Sequence, residues 1–326
     1  MLVTGATGFV GRALVSELVA NRSQVKALVR KVSTGLPAEV EQVVMDLGEI
    51  DREGAINAVF SGVDVVIHAA ARVHMMQDQS SNPLAEFRKL NRDATLALAE
   101  LAADAGVKRF VFLSSIKVNG EVTFPRRRPS VFKPDDEFIP TDPYGLTKYE
   151  AEQGLQVLAK KTGMEVVIIR SPLVYGPGVK ANFASMINWL RRGVPLPLGA
   201  IYNKRSFVAL DNLVSFIALC ADRSQSRKAA NQVFLISDGE DVSTTQLLRK
   251  VADALGKDPR LLSVPTGLMS FAAKLIGKGD VANRLFGSLQ VDSSKARDLL
   301  GWQPVITMDE QLNKTVAAFV KNEKTL

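Results

Sequence analysis

A tyrosine and a lysine four residues apart, Tyr144 and Lys148, have the types and spacing for proton-transfer chemistry. Side chains four residues apart on a helix share one face. A nearby ammonium group stabilises a phenolate and lowers the pKa of the phenol, which is otherwise about 10. The pair therefore predicts a general acid and base that works near neutral pH, although a solvated helix face often has the same spacing.

The start of the chain has the glycine pattern of a nucleotide-binding turn. Gly5, Gly8 and Gly11 follow a short apolar stretch and precede an apolar helical one. In such a turn the first glycine allows the tight bend, the second lets the backbone approach a pyrophosphate, and the third lets helix and strand pack closely. With both flanking elements present, the pattern predicts a dinucleotide-binding site.

The residue that follows the second predicted strand helps to discriminate between NAD and NADP. A carboxylate there binds the ribose 2′-hydroxyl of NAD, whereas an arginine accommodates the 2′-phosphate of NADP. Here the strand 25–29 is followed by Arg30 and Lys31, without an acidic residue. The sequence therefore favours NADP(H), and NAD stays an alternative because arginine can also stack on adenine.

Strands and helices alternate from the start of the chain to Pro172. The predicted strands are continuous runs of Val, Ile and Leu, as expected when helices cover both faces of a parallel sheet. This order predicts a doubly wound α/β Rossmann domain over residues 1–172. The predicted strands are 2–4, 25–29, 42–45, 63–69, 109–114 and 165–169, and the predicted helices are 9–20, 52–60, 91–105 and 144–160.

After Pro172 the pattern changes to short strands, helices and proline turns. We predict a smaller mixed α/β substrate domain over residues 173–326. Residues 206–221 have the pattern of a strand followed by an apolar helix, which leaves a return to the sheet of the first domain as an alternative.

The composition argues against several classes of protein. No apolar run in the 326 residues approaches the ~20 residues needed to cross a bilayer. Two histidines and a single cysteine, Cys220, argue against a zinc or other transition-metal site and exclude an internal disulfide. Because no basic and apolar leader precedes the glycine turn, we expect a cytoplasmic protein.

The chain is basic, with a formal net charge of +7. Nucleic-acid binding is not expected, because interleaved basic and aromatic residues and helix-turn-helix spacing are absent. A phosphorylated substrate or an anionic membrane surface explains the charge equally well. The apolar segment 267–276 is typical of core packing in the second domain, with a dimer or membrane-surface contact as the alternative.

Four motifs, in this order along the chain, resemble those of the extended short-chain dehydrogenases. The resemblance covers nearly the whole chain and is nearest to the branch of nucleotide-sugar epimerases, dehydratases and reductases. It implies a C-terminal domain that binds a UDP-sugar and a homodimer formed through the helices 91–105 and 144–160. The motifs are the glycine turn, Val66-Ile-His-Ala-Ala-Ala71, Phe112-Leu-Ser-Ser-Ile116 and Tyr144-x-x-x-Lys148.

The resemblance also implies roles for individual residues. Ser115 would hold the sugar oxygen by a hydrogen bond, Tyr144 would exchange a proton with it, and Lys148 would bind the cofactor ribose. Asn91 would brace the backbone of the active site, and a buried packing role is expected for His68. The implied cofactor contacts are Gly5, Thr7, Gly8, Phe9, Val10, Gly11, Arg30, Asp46, Leu47, Ala69, Ala70, Ala71, Asn91, Ser114, Tyr144, Lys148, Ser171 and Pro172. The implied substrate contacts are Ser115, Asn119, Asn182, Arg205 and Arg284.

Dehydratases of this branch carry an Asp-Glu pair just after the catalytic hydroxyl, where this chain has Ile116 and Lys117. Water elimination is therefore not expected. Arg30 and the likeness to enzymes of O-antigen pathways favour NAD(P)H-dependent reduction of a UDP-4-keto-6-deoxy-N-acetylhexosamine, giving UDP-N-acetylquinovosamine or a similar product. The alternatives are a UDP-glucose or UDP-N-acetylglucosamine 4-epimerase that retains NAD and a non-catalytic NADP-sensing regulator. The regulator is disfavoured because such proteins usually lose the Tyr-Lys pair.

Overall fold

Two sheets contain the strands of the computed structural model, which describes residues 1–49, 59–72, 82–123, 130–275, 277 and 279–323. The main sheet has seven parallel strands in the order β3-β2-β1-β4-β5-β6-β9, and the second has the order β10-β8-β7. The strands are β1 (Leu2–Thr4), β2 (Lys26–Val29), β3 (Glu41–Val44), β4 (Val65–His68), β5 (Arg109–Ser115), β6 (Glu165–Ser171), β7 (Leu173–Tyr175), β8 (Arg205–Ala209), β9 (Val233–Leu235) and β10 (Asp241–Val242). This strand order confirms the predicted doubly wound Rossmann fold with a smaller second sheet.

Helices cover both faces of the main sheet. The described helices are α1 (Phe9–Ala20), α2 (Pro83–Arg88), α3 (Ala94–Asp104), α4 (Pro143–Thr162), α5 (Ala181–Arg191), α6 (Leu210–Ala221), α7 (Thr244–Ala254), α8 (Thr266–Leu275), α9 (Gly279–Phe286), α10 (Ser294–Leu300) and α11 (Met308–Glu323). On one face α1 and α6 pack on the sheet, and on the other α3 and α4 do so. Except for the partly exposed edge strand β3, the strands of the main sheet are largely buried, which explains their continuous apolar sequence.

Residues 206–221, for which a return to the main sheet was the alternative, divide between the two sheets. Strand β8 pairs with β7 and β10 in the second sheet, whereas α6 packs on the main sheet through Phe216 and Ile217. The last strand of the main sheet is instead β9, which pairs with β6. The part of the chain before Pro172, the first region, and the part after it, the second region, therefore both contribute to the main sheet. The division into domains at Pro172 stays a prediction.

Two of the predicted helices differ from expectation. Most of the predicted helix 52–60 lies outside the described residues. The first residues of the predicted helix 91–105 belong to a π-helical turn, Lys89–Asp93, and α3 begins only after this turn. Such turns often lie at functional sites, and this one contains Asn91. Helices α3 and α4 pack together, while the dimer predicted through them stays a prediction.

Candidate active site

The turn after β1 has the geometry that a dinucleotide pyrophosphate requires. Gly5 has a φ of +67°, and a Cβ there would lie 2.7 Å from the backbone nitrogen of Ala70. A Cβ on Gly11 would lie 2.1 Å from the carbonyl oxygen of Gly5. Helix α1 begins after Gly8 without a capping side chain, so its first N–H groups remain available to an anion. The turn therefore fits a nicotinamide dinucleotide.

The other residues implied for the cofactor lie at the carboxyl ends of the main-sheet strands or at the start of α1. Because the carboxyl ends of parallel strands meet at one edge, the fold brings these residues to the edge where open α/β sheets bind ligands. They are Thr7, Phe9 and Val10 at the turn and α1, Arg30 after β2, Asp46 and Leu47 after β3, Ala69, Ala70 and Ala71 after β4, Ser114 in β5, and Ser171 and Pro172 at the end of β6. Their contacts with a cofactor stay predictions.

His68 is fully buried and links β1 to α3. Its Nδ1 lies 2.7 Å from the hydroxyl of Thr4, and its Nε2 lies 2.9 Å from the hydroxyl of Thr95. Burial lowers the pKa of His68 to about 3, with a smaller contribution from the charge of Lys148. The imidazole is therefore neutral and structural, which agrees with the expected packing role.

Asn91 connects the loop after β4 to the helix of the predicted catalytic pair. Its Oδ1 accepts a hydrogen bond from the backbone N–H of Arg72 at 2.8 Å, and its Nδ2 donates to the Arg72 carbonyl at 3.0 Å. The same Nδ2 donates to the hydroxyl of Thr147 at 3.3 Å. Thr147 precedes Lys148 on α4, so this one amide fixes the loop relative to the catalytic helix.

Local sequence signals define where α4 begins and ends. Asp142 is its N-cap and accepts a hydrogen bond from the N–H of Gly145 at 3.1 Å, and Pro143 occupies the first turn. Gly163 ends the helix in the left-handed conformation with a φ of +76°. With these bounds, Tyr144 lies in the first turn and Lys148 one turn later, on the same face.

Lys148 is held in a buried position beneath the end of β5. Its ammonium donates to the carbonyl oxygen of Leu113 at 2.9 Å and lies 4.4 Å from the ring centroid of Phe112. Burial lowers the pKa of Lys148 to about 7, and the carboxylate of Glu152 acts in the opposite direction. The charge of this lysine therefore changes close to neutral pH.

Tyr144 is hydrogen-bonded to Ser115, so two of the three predicted catalytic side chains are in direct contact. Burial raises the pKa of Tyr144 to about 12, while the hydrogen bond from Ser115 lowers it and the charge of Asp142 raises it further. The pKa of Tyr144 is therefore raised in this structure and not lowered as expected from the Tyr-Lys spacing. Desolvation of the phenolate has the largest effect on this pKa, and the hydrogen bond from Ser115 acts in the opposite direction.

A buried ionic network lies next to the predicted catalytic residues. The carboxylate of Glu152 accepts hydrogen bonds from Nε of Arg170, which lies 3.1 Å from both carboxylate oxygens, from Nη2 of Arg170 at 2.6 Å, and from the hydroxyl of Ser114. Arg170 also donates to Oδ1 of Asn119 at 3.0 Å. The sequence predictions missed Glu152 and Arg170. The available signal was a glutamate one helical turn after Lys148 and an arginine inside an otherwise apolar strand.

Asn119, which was predicted as a substrate contact, is part of this network. Only 2% of its surface is exposed. Its Oδ1 accepts from Arg170, and its Nδ2 donates to the carbonyl of Lys133 at 2.7 Å. Both polar groups have protein partners, which supports a structural role, and the contact of Asn119 with the sugar stays a prediction.

The predicted contacts for the UDP diphosphate lie in the second region. Arg205, at the start of β8, is half-buried and donates to the carbonyl of Gly287 at 3.0 Å, and burial lowers its pKa. Asn182 is exposed in the first turn of α5. It follows Ala181, whose φ of +54° is strained for a residue with a Cβ. Arg284 lies in α9, and its side chain lies outside the described residues.

Ile116 and Lys117 occupy the positions of the acidic pair that dehydration requires. Ile116 is buried, and the ammonium of Lys117 pairs with Asp142 at 3.0 Å and with Glu121 at 2.9 Å. Neither residue offers a carboxyl group. Within the ranges given above, no group of three or more His, Cys, Asp or Glu side chains has the arrangement of a metal site.

Comparison with known proteins gives similarities along the whole chain. A UDP-glucose 4-epimerase of Vibrio cholerae is 46% identical over 323 residues, which are 98% of this chain and 95% of the relative. A 4-epimerase of Escherichia coli O157:H7 named for N-acetyl-α-D-glucosaminyl-diphospho-undecaprenol is 25% identical over 97% of this chain and 94% of its own.

Solved structures with the same fold include complexes with NAD and with a UDP-sugar. MoeE5, in complex with UDP-glucose and NAD, has a TM-score of 0.75 at 26% identity and covers 99% of both chains. UDP-glucuronic acid 4-epimerase from Bacillus cereus, in complex with NAD, has a TM-score of 0.76 at 21% identity and covers 98% of both chains, which shows the fold alone.

The family model described as "NAD dependent epimerase/dehydratase family" matches residues 1–236. The match includes the glycine turn, Ser115, Tyr144 and Lys148, and it agrees with the strand order of the main sheet. This chain therefore belongs to the NAD-dependent epimerase/dehydratase family of nucleotide-sugar enzymes.

Proposed function

We propose that this chain reduces the 4-keto group of a UDP-linked 6-deoxy-N-acetylhexosamine with NADPH, for the synthesis of surface polysaccharide. The observation that supports the reductase most directly is the pair of exposed cations after β2, Arg30 and Lys31, in a turn without a carboxylate. A guanidinium at this position is suited to a 2′-phosphate. A reductase exchanges its cofactor at each turnover, whereas an epimerase of this type retains it.

The side chains around the carbonyl supply hydrogen bonds and a proton. The bound nicotinamide cofactor supplies the hydride to C4. Ser115 donates a hydrogen bond to the C4 oxygen, and Tyr144 transfers its phenolic proton to the same oxygen, so that the ketone becomes a hydroxyl group. The raised pKa of Tyr144 keeps the phenol protonated before the reaction, as a proton donor requires.

Lys148 assists Tyr144 by its position and its charge. Its ammonium is fixed near the carboxyl end of β5 by a hydrogen bond to the carbonyl oxygen of Leu113. The tyrosinate that remains after proton transfer is favoured by a cation in the same cleft. We propose that Lys148 binds the ribose hydroxyl groups and helps to return a proton to Tyr144.

The UDP group is proposed to bind in the second region. Arg205 presents a planar donor fork, which suits the paired oxygens of a diphosphate. The strained backbone at Ala181 places Asn182 at the exposed start of α5, where it can donate to the same group. In this proposal β8 and α5 supply the groups that bind the diphosphate, while β5 and α4 supply the reacting groups.

A second candidate function is 4-epimerisation of a UDP-hexose or UDP-N-acetylhexosamine. It is favoured by the relative from Vibrio cholerae, which is named a UDP-glucose 4-epimerase and is 46% identical over nearly the whole chain. The same Ser115, Tyr144 and Lys148 would serve both reactions, since an epimerase removes and returns the hydride at the same carbon. The difference lies in whether the cofactor leaves.

One experiment separates the two functions. The purified protein is denatured and the released cofactor is quantified, and the native protein is assayed with UDP-4-keto sugars plus NADPH or NADH and with UDP-glucose alone. A reductase contains little bound cofactor and oxidises NADPH only when the keto sugar is present. Stoichiometric bound NAD with interconversion of UDP-glucose and UDP-galactose contradicts the reductase and supports the epimerase.

A pair of variants sharpens the assignment of the cofactor. Arg30→Asp should shift the preference from NADPH toward NADH by about tenfold or more, because it replaces a partner of the 2′-phosphate by a partner of the 2′-hydroxyl. Lys161→Asp, which makes the same type of charge change at the far end of α4, should leave the preference unchanged. An Arg30→Asp variant with the cofactor preference of the parent removes the main support for NADPH.

A further inference from the structure

Helix α8 exposes three large apolar side chains on one face. Leu268, Phe271 and Leu275 are 62%, 62% and 73% exposed, and their spacing of three and four residues places them in one row. We refer to these three residues as the α8 face. Exposed apolar side chains are ordinary when they are scattered singly, whereas a row on one helix indicates a binding surface.

The α8 face lies within a basic part of the second region. The segment 259–290 contains four basic residues and one acidic residue, so that a large share of the net charge of +7 falls there. Lys274 lies beside the face and is exposed. An apolar row flanked by basic residues has the chemistry of a helix that lies in the interface of an anionic bilayer.

The α8 face is attached to the part of the second region that contains the proposed diphosphate site. Helices α8 and α9 pack against each other, and the chain leaving α9 is fixed by Arg205, which donates to the carbonyl of Gly287 at 3.0 Å. Asn203 donates to the carbonyls of Leu285 and Gly287 at 3.2 and 3.0 Å. The α8 face is therefore connected through α9 to the segment that contacts Arg205.

We propose that the α8 face binds the surface of an anionic phospholipid bilayer. The three apolar side chains enter the boundary between headgroups and acyl chains, and Lys274 contacts the phosphate groups. Within the described ranges no helix is long and apolar enough to cross a membrane, so the contact is peripheral. It brings the enzyme reversibly to the bilayer, and it does not depend on whether the enzyme reduces or epimerises its sugar.

The charge distribution favours a bilayer over a second copy of the chain. A symmetric contact through this helix would bring Lys274 close to its own copy, and like charges in an interface oppose association. An anionic surface is complementary to the same charges. Binding should therefore weaken as the salt concentration increases.

The test measures co-sedimentation of the full chain with vesicles of phosphatidylcholine alone and of phosphatidylcholine mixed with phosphatidylglycerol. We expect the protein to bind the mixed vesicles and not the neutral ones. The triple variant Leu268→Ser, Phe271→Ser, Leu275→Ser should bind the mixed vesicles at least about tenfold more weakly, because it removes the apolar contribution. Its sugar-nucleotide activity without vesicles should equal that of the parent.

The matched control replaces three apolar residues that are similarly exposed elsewhere, Val32→Ser, Ile139→Ser and Val305→Ser, and should bind vesicles like the parent. If the α8 variant does not fold, Lys274→Glu provides the second measurement. It should weaken binding to the mixed vesicles, because it removes the proposed contact with the phosphate groups. Equal binding by the α8 variant and the parent, or no binding by the parent, overturns the proposal. A parent dimer that the α8 variant converts to a monomer, without vesicle binding, assigns the face to a second copy instead.

Discussion

The two sides of the candidate active site hold their polar groups in different ways. On the catalytic side Lys148 and Glu152 are almost completely buried, and their hydrogen bonds go to fixed partners in β5 and β6. On the substrate side Asn182 is exposed and Arg205 is half-buried. The difference teaches that the groups proposed for proton transfer are fixed between α4 and the main sheet, whereas the residues proposed to bind the nucleotide sugar lie closer to the surface. Enzymes with the same reacting groups can thus differ in the sugar that they bind.

The largest effect should come from removing the proton donor of the catalytic side. Tyr144→Phe should lower kcat by about 10²- to 10⁴-fold while leaving cofactor affinity nearly unchanged, because only the phenolic proton is lost. Steady-state kinetics and cofactor titration by fluorescence measure the two quantities. Tyr149→Phe, in the same helix and half-buried, is the control and should retain activity. Full activity in Tyr144→Phe would mean that the catalytic side is wrongly assigned.

The buried network should show a large effect on stability. Glu152→Gln removes the negative partner of buried Arg170 and should lower the free energy of unfolding by about 3–5 kcal/mol. Glu150→Gln, two residues earlier on α4, removes the partially exposed partner of Arg88 and Arg92 and should cost about 1 kcal/mol or less. Urea denaturation of both variants measures the difference. Similar losses in the two would show that the catalytic side is no more rigidly held than an ordinary surface pair.

Lys148 should make stability depend on pH. The pKa of Lys148 is lowered from 10.5 to about 7 in the folded protein, so between these values the unfolded state binds more protons. The contribution of Lys148 to the free energy of unfolding should therefore rise with pH through this window, by up to ~1.4 kcal/mol per pH unit. Lys148→Met should lose this rise and be the more stable protein near pH 7, relative to the parent.

Unfolding curves from pH 7 to pH 10 compare the parent, Lys148→Met and Lys160→Met. The exposed Lys160 is the control on the same helix, and its replacement should leave the pH dependence of the parent intact. If Lys148→Met keeps the rise as well, the desolvation of Lys148 is smaller than its burial implies.

The sequence predicted the main sheet, and its proposal for the catalytic residues is based on equally local patterns, for a physical reason. Gly5, Gly8 and Gly11 are required by local backbone geometry, and Tyr144 and Lys148 by a fixed helical spacing. Both requirements can be read from neighbouring residues. The contacts of Glu152 with Arg170 and Ser114 join residues distant in sequence, so no local pattern indicates them. The role of Asn119 depends on the same network.

The pKa of Tyr144 could not be predicted from spacing for a related reason. The Tyr-Lys spacing specifies which charge is near, but the desolvation of the phenol depends on everything packed around it. The structure shows that burial dominates and that Ser115 opposes it. The β8 strand likewise has the apolar sequence of a main-sheet strand and pairs in the second sheet, because pairing is decided by partners far along the chain.

The smallest effect should come from the substrate side. Arg205→Ala should raise KM for the nucleotide sugar by about tenfold, the value of one charge-assisted hydrogen bond, and should change kcat little, since Arg205 is proposed to contact the diphosphate in ground state and transition state alike. Lys204→Ala, which removes an exposed neighbouring charge, is the control and should change neither constant appreciably. Steady-state kinetics at saturating cofactor separate the two constants. A fall in kcat as large as the rise in KM would mean that the surface residues also set the geometry of proton transfer, and the two sides would then act as one unit.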